Sequence, residues 1–234
     1  PCIPKYEAPP PSWIEYFWNQ TPFGRTNGYL SLLDFGDEFK MIPPVYIYGC
    51  NFGIRKKVFV ETGGTYPDYF PDRYSAYQGN GETGLSFQLQ KKGVLAVYNP
   101  RAKIEHLIPS SRLTLEYFCK RRFFNGIGAS FQDVRKLHGL DGHSISGSIE
   151  VTLKRVRPHI MRIKCYVLKL LKKTGFIHTN TASYPDEVAM MKSKIEESFR
   201  AGYAFHQKSL KKDPKLLGWV LRPDYLGDNG KLPR

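Results

Sequence analysis

The sequence predicts an α/β fold, with a partial mixed sheet flanked by helices and a helical C-terminal extension. Three observations indicate this fold. Residues 45–54 (VYIYGCNFGI) are β-branched and aromatic, as in a buried strand. Residues 82–92 have the composition of a helix, and Gly93 separates them from a strand-like run over 94–98. Residues 185–211 carry apolar side chains at helical spacing.

Composition and charge limit the function. The 234 residues are 41% hydrophobic, which is enough for a packed core. A formal net charge of +14 indicates an anionic partner, such as a nucleic acid, an anionic lipid or a phosphorylated small substrate. No nucleic-acid-binding motif accompanies the charge, so we expect no specific nucleic-acid partner. Neither a signal peptide nor an apolar run of transmembrane length is visible, which favours the cytoplasm.

The first part of the chain is expected to alternate loops with short elements. Residues 1–30 are rich in proline and aromatic residues, which favours an extended, loop-rich segment with a short helix over 13–18. After the strand at 45–54, residues 56–61 are expected to form a short helix. Residues 66–80 are then expected to form a loop.

Two short strands and a helix complete the first predicted domain. The strands are expected at 94–98 and 103–106, on either side of a short Asn-Pro loop. Residues 114–130 are expected to form an amphipathic helix with basic residues on its polar side. We expect this domain to span residues 1–136.

A change in composition marks the C-terminal extension, which is expected to span residues 150–234. A polar linker over 137–149 leads to a basic amphipathic stretch at 150–173. The long helix at 185–211 follows, and the tail over 219–234 is expected to be irregular.

The cysteines are spread along the chain, at Cys2, Cys50, Cys119 and Cys165. No two of them are spaced as in a CxxC motif, so the sequence gives little support for a structural zinc site. Scattered cysteines in a chain of this size favour a reducing compartment over a disulfide framework.

Four motifs follow one another between about Leu30 and Ser130. They are GCNFGIRKKVFVETGG, GNGETGLSFQLQKKG, YNPRAKIEH and SRLTLEYFCKRRFFNG. Their order resembles the C-terminal, acceptor-binding half of family 2 glycosyltransferases with the GT-A fold, over a little under half of the chain. The resemblance implies an inverting, Mn²⁺- or Mg²⁺-dependent transfer of a sugar from a nucleotide-sugar donor to a saccharide or lipid-linked acceptor.

The chain also departs from this family pattern. The family's acidic pair falls on Gly81-Glu82, and a later acidic position falls on Gly84. No Asp-x-Asp motif occurs, and the nucleotide-binding half of the fold has no counterpart. Because the first residue is Pro1, we expect that the chain begins inside a longer reading frame or has been processed. It is either a fragment of a longer enzyme or a non-catalytic carbohydrate-binding or scaffold subunit.

The resemblance implies that Glu82 is the catalytic base and that its neighbour Thr83 contacts substrate. An inverting transfer requires a carboxylate that takes the proton of the acceptor hydroxyl as its oxygen attacks the anomeric carbon. The alternative for Glu82 is an ordinary acidic residue in the first turn of a helix, where the helix dipole favours negative charge.

His106, at the end of the second short strand, is the candidate metal ligand. The resemblance implies that this histidine joins the aspartates of an Asp-x-Asp motif on Mn²⁺ or Mg²⁺, which neutralises the diphosphate leaving group. A strand-end histidine satisfied by a backbone hydrogen bond is the alternative.

Further candidates would bind the substrates. Guanidinium groups suit phosphate oxygens, so the candidates for the nucleotide diphosphate are Arg112, Arg121 and Arg122, unless they are only solvated on a polar face. Asn51 and Arg55 lie at the end of the strand predicted at 45–54, which is expected to form the base of the acceptor site. Asn51 could equally form a hydrogen bond to a neighbouring loop. Tyr77, in the loop before the predicted base, could stack on a sugar ring or simply pack that loop.

Two surfaces suggest macromolecular contacts. Residues 155–173 interleave Arg and Lys with apolar residues, as in a helix that lies on an anionic membrane. A helix packed on the catalytic domain with a solvated basic face would show the same pattern. A peripheral location on the inner face of the cell membrane would suit a lipid-linked acceptor. A sheet edge left exposed by the missing strands would favour a homodimer.

Overall fold

The computed structural model describes residues 1–65, 81–140 and 185–222, and these form a mixed α/β unit. The predicted loop at 66–80, the basic stretch at 150–173 and most of the linker and tail lie outside the described residues.

Seven strands form two sheets in the described part of the chain. The strands are β1 (Cys2–Tyr6), β2 (Asn19–Thr21), β3 (Gly24–Asn27), β4 (Leu32–Asp34), β5 (Lys40–Ile42), β6 (Ala96–Tyr98) and β7 (Ile104–Ile108). The larger sheet is mixed and has the order β2-β3-β4-β1-β7. Its strands pair antiparallel except for β1 and β7, which run parallel with Cys2 opposite Ile104. A separate antiparallel pair, β5 with β6, has Met41 opposite Val97.

Residues 1–30 are more regular than the sequence predicts. They contain β1, β2 and β3, and the short helix expected at 13–18 is confirmed as a 3-10 helix over Ser12–Phe17. β1 lies between β4 and β7, so partners distant in sequence fix its extended backbone. Strand formation depends more on such pairing than on local composition, which explains the wrong expectation of a loop-rich segment.

The strand predicted at 45–54 is wrong. Pro44–Tyr46 form a 3-10 helix, and a turn follows in which the Asn51 N–H donates to the carbonyl oxygen of Tyr48 at 3.0 Å. Proline fixes φ at a value suited to the first helical turn, and Pro44 occupies that position. The Tyr46 ring, which suggested a strand, instead packs edge to face against Phe35, with ring centroids 5.3 Å apart.

Five α-helices lie in the described residues: α1 (Lys56–Glu61), α2 (Gly81–Lys91), α3 (Leu115–Leu137), α4 (Asp186–Lys212) and α5 (Pro214–Val220). α1, α2 and α4 lie within one residue of their predicted positions. α3 runs past the predicted end at 130 to Leu137, into the predicted linker, because no helix-breaking residue intervenes. Trp219, predicted to be irregular, lies in α5, where the Asp213 carboxylate caps the first turn by accepting from the Lys215 and Leu216 N–H groups.

Apolar side chains join these elements in three clusters. One joins the larger sheet to α3 and α4 through Ile14, Phe17, Leu30, Leu32, Ile108, Phe118 and Ile195. A second lies between the two sheets, and a third holds α5 against α3 and α4 through Phe131, Leu210, Leu216 and Trp219. None of the described helices combines the length and apolar composition needed to cross a bilayer.

Candidate functional site

A polar cavity of about 270 Å³ lies beside α2 and α3; we call it the Glu82 cavity. Its lining residues are Gly28, Ser31, Val45, Ile47, Tyr48, Glu82, Thr83, Ser86, Phe87, Arg121 and Asn125. Three site residues predicted from the sequence, Glu82, Thr83 and Arg121, therefore lie around one space although they come from two helices.

Helical spacing on α2 presents its polar side chains to the cavity. Glu82 and Ser86 are four residues apart, as are Thr83 and Phe87, so each pair lies on one face of the helix. Leu85 lies between Thr83 and Ser86 in the sequence. Its side chain is fully buried and anchors the helix in the protein interior. Glu82 is in the first turn, where the helix dipole stabilises its negative charge.

The turn after the Pro44–Tyr46 helix lies against the Glu82 carboxylate. A Cβ atom added to Gly49 would lie 3.5 Å from Glu82 Oε2, so the turn passes close to the carboxylate with no side chain between them. The carboxylate is half-buried and remains on the cavity wall. It can accept a proton from a bound hydroxyl group.

Arg121 supplies the opposite charge to the same cavity. Its Nε atom is buried and has no hydrogen-bond partner within the described ranges. A buried guanidinium nitrogen without a partner is costly, so a ligand oxygen that accepted from it would be stabilising. The Glu82 cavity therefore combines a proton acceptor, a cationic donor and the polar groups of Thr83, Ser86 and Asn125.

Arg122 faces a neighbouring cavity of about 580 Å³, which shares Gly28 and Asn125 with the Glu82 cavity. One of its terminal nitrogens donates to Glu196 Oε2 at 3.1 Å, and the guanidinium lies 4.2 Å from the ring centroid of Phe199. Arg122 thus joins α3 to α4 while its Nε atom stays buried and unbonded in the described structure.

Asn51 and Arg55 do not line the Glu82 cavity. The Asn51 side-chain amide donates to the carbonyl oxygens of Pro1 at 2.9 Å and Ala102 at 2.7 Å. This is the loop-bonding role that the sequence left open for Asn51. Arg55 is exposed, immediately before α1, and borders a more apolar cavity of about 570 Å³. Tyr77 lies outside the described residues.

His106 lies within β7, opposite Pro4, rather than at the strand's end. Burial and then the nearby Arg112 guanidinium lower the pKa of its imidazole, so the ring is neutral at neutral pH. Its Nε2 atom is buried and has no hydrogen-bond partner among the residues described. Neither His106 nor Arg112 lines the Glu82 cavity.

The described residues do not by themselves make a metal site. Within 1–65, 81–140 and 185–222, no three His, Cys, Asp or Glu side chains are grouped so that they could hold an ion. The cation that the resemblance implies therefore does not fit these residues alone.

One contact at the site could not be found from the sequence. The Cys2 and Cys50 sulfur atoms are 3.5 Å apart, although the residues are separated by 48 positions. The contact depends on the placement of β1 and of the turn at Gly49, and both segments were predicted differently.

Comparisons of the chain with protein-family models, curated proteins and solved structures found no match. A carboxylate, a guanidinium and several neutral polar groups around a small cavity are suited to a ligand that carries both hydroxyl groups and negative charge.

Proposed function

We propose that the chain is the acceptor-binding half of a nucleotide-sugar-dependent glycosyltransferase of the GT-A fold, with Glu82 as its general base. The observation that carries the proposal is that Glu82 and Arg121 line the same polar cavity. The order of the four sequence motifs supports it independently. We propose a cytoplasmic setting for this enzyme, peripheral to the membrane if the acceptor is lipid-linked.

In the proposed reaction, the acceptor hydroxyl lies beside the Glu82 carboxylate. The carboxylate takes the hydroxyl proton as the oxygen attacks the anomeric carbon, and the bond to the nucleoside diphosphate breaks with inversion. Thr83, Ser86 and Asn125 orient the sugar, and Arg121 binds a phosphate oxygen. The resemblance also implies a divalent cation, and His106 would hold it only together with carboxylates from outside the described residues.

The size of the cavity supports a small acceptor group. At about 270 Å³ it lies below the usual range of about 300–1,000 Å³ for ligand pockets, which suits a single sugar unit. The neighbouring cavity of about 580 Å³ shares two lining residues with it and offers space for the rest of a longer acceptor.

A non-catalytic carbohydrate-binding subunit is the second candidate. It is favoured by Gly84, which is buried at a position where the family has an acidic residue. Such a subunit would bind glycans in the Glu82 cavity without releasing nucleotide.

The experiment that separates these functions uses the chain within its complete reading frame. The protein is incubated with a panel of nucleotide sugars, Mn²⁺ or Mg²⁺, and saccharide and lipid-linked acceptors, and release of the nucleoside diphosphate is followed. Acceptor-dependent release with at least one donor would support the transferase. Glycan binding without release from any donor would instead favour the binding subunit.

A further inference from the structure

We propose that Cys2 and Cys50 are a redox-sensitive thiol pair, which forms a reversible disulfide and thereby fixes the turn behind Glu82. This inference does not depend on the proposed function, because its test follows the cysteines themselves.

The two sulfur atoms need only a small movement to form a bond. They are 3.5 Å apart, whereas a disulfide bond is about 2.0 Å long, so bond formation requires an approach of about 1.5 Å. Cys2 is fixed in β1, where it pairs with Leu33 on one side and Ile104 on the other. Cys50 lies in a turn, whose backbone and side-chain torsions can supply this approach.

The two thiols differ in exposure and in acidity. Cys2 is 3% exposed, whereas Cys50 is exposed and accessible to an oxidant. The hydrogen bond from the Cys2 thiol lowers the pKa of the Cys50 thiol to about 7, although burial and the Glu82 carboxylate oppose this effect. The same hydrogen bond and burial raise the pKa of Cys2. Cys50 is therefore the attacking thiolate, and Cys2 is the resolving thiol.

The chemistry balances with a hydroperoxide as oxidant. The Cys50 thiolate attacks hydrogen peroxide, which breaks the O–O bond, forms a sulfenic acid and releases hydroxide. The Cys2 sulfur then attacks the Cys50 sulfur, and water leaves as the disulfide forms. A dithiol reductant breaks the Cys2–Cys50 disulfide by thiol–disulfide exchange and restores both thiols. Disulfides of this transient kind are the ones found in reducing compartments.

The position of Cys50 connects the pair to the Glu82 cavity. Gly49 precedes it and lies against the Glu82 carboxylate, and the Cys50 sulfur is 3.6 Å from the carbonyl oxygen of Ser31, which lines the cavity. Asn51 follows it and is bonded to Pro1 and Ala102. A covalent bond from Cys50 to Cys2 in β1 would restrict the end of this turn, in which Ile47 and Tyr48 line the cavity.

The test uses the full chain, treated with stoichiometric hydrogen peroxide and then mapped by mass spectrometry after alkylation of free thiols. We expect a peptide that joins Cys2 to Cys50 and disappears after treatment with dithiothreitol. The matched controls are Cys50→Ser, which should form no such bridge, and Cys119→Ser, which should form it as the wild type does. Recovery of Cys2 and Cys50 as free thiols, or of Cys50 bridged mainly to another cysteine, would overturn the proposal.

Two further measurements keep the result independent of any folding defect in a variant. In the untreated wild type, Cys50 should be alkylated at pH 7 about threefold faster than an ordinary thiol, because its larger thiolate fraction outweighs its weaker nucleophilicity. In the oxidised protein, backbone amides over 47–53 should exchange with solvent about tenfold more slowly than in the reduced protein. Alkylation at the ordinary rate would overturn the attacking role of Cys50, and unchanged exchange would overturn the restriction of the turn.

Discussion

The Glu82 carboxylate lies directly against Gly49, so that a Cβ on Gly49 would be 3.5 Å from Glu82 Oε2. Glu82 lies in the first turn of a helix, and Gly49 belongs to a turn more than thirty positions earlier in the chain. The carboxylate lies on the wall of a polar cavity, and the turn at Gly49 leaves no room for a large side chain on its other side.

Enlarging Gly49 should displace the carboxylate in proportion to the size of the side chain. A Cβ at 3.5 Å makes ordinary contact, so Gly49→Ala should keep the free energy of unfolding within about 1 kcal/mol and retain most of the turnover. Gly49→Leu should lower turnover at least tenfold, because a displacement of about 1 Å in a catalytic group is costly. Gly53→Leu is the matched control, since a Cβ at Gly53 meets no atom within 4 Å. Equal turnover in the two leucine variants would contradict the contact.

Removing the charge of Arg121 should weaken binding of a nucleoside diphosphate. A hydrogen bond to a charged group contributes about 1.5–3 kcal/mol, so Arg121→Met should raise the dissociation constant about tenfold or more. Lys120→Met, at the exposed neighbouring position of α3, should change it much less. Isothermal titration with the nucleotide measures both. A similar small effect from both substitutions would indicate only a general electrostatic attraction.

The crossing of α3 and α4 should not tolerate a methyl group. A Cβ on Gly202 would overlap the carbonyl oxygen of Phe123, which belongs to the backbone and cannot move aside independently. We expect Gly202→Ala to lower the free energy of unfolding by about 1–3 kcal/mol. Gly218→Ala in α5 meets no atom within 4 Å and should raise it by up to about 1 kcal/mol. Urea unfolding measures the free energy of both variants. Equal values for Gly202→Ala and Gly218→Ala would show that α3 and α4 do not cross at Gly202.

Acid should weaken the same helix pair through His206. The imidazole is fully buried, and its Nδ1 atom lies 2.7 Å from the Ser130 hydroxyl of α3. Burial lowers the pKa of His206 from 6.5 to about 4. The unfolded chain therefore takes up this proton near pH 6.5 and the folded chain only near pH 4. The contribution of neutral His206 to the free energy of unfolding is therefore fully present above pH 6.5. About 3 kcal/mol of it is lost as the pH falls to 4.

His206→Gln removes this titration and keeps a polar side chain. Between pH 7 and pH 4 its free energy of unfolding should fall by about 3 kcal/mol less than that of the wild type. Identical pH profiles for the wild type and His206→Gln would show that His206 does not titrate as described.

The sequence predicts the helices well because their signals are local. Leu85 and Leu89 mark the buried face of α2, and both are buried in the structure. The position of Glu82 in the first turn of that helix is also a local property. Its proximity to Arg121 on α3 was implied only by a resemblance, and the structure brings the two residues to one cavity.

The sheet and the turn depend on contacts that no local pattern contains. Cys2 lies in a central strand because Leu33 and Ile104 pair with it, and neither partner can be identified from the composition of residues 1–30. At 45–54 the aromatic and β-branched residues indicated a strand, but Pro44 starts a 3-10 helix and the Tyr46 ring packs against Phe23. The error concealed both the Gly49–Glu82 contact and the Cys2–Cys50 pair.

The most direct test of the account compares Glu82→Gln with Glu105→Gln in the complete protein. Glu105 is an exposed carboxylate on β7, paired with Lys5 at 3.3 Å, and serves as the matched control. With an active donor and acceptor, we expect Glu82→Gln to lower nucleoside diphosphate release about a thousandfold while donor binding is retained, because a general base contributes about 10²–10⁴-fold. Glu105→Gln should release nucleotide at the wild-type rate. Unchanged turnover in Glu82→Gln would contradict the central claim.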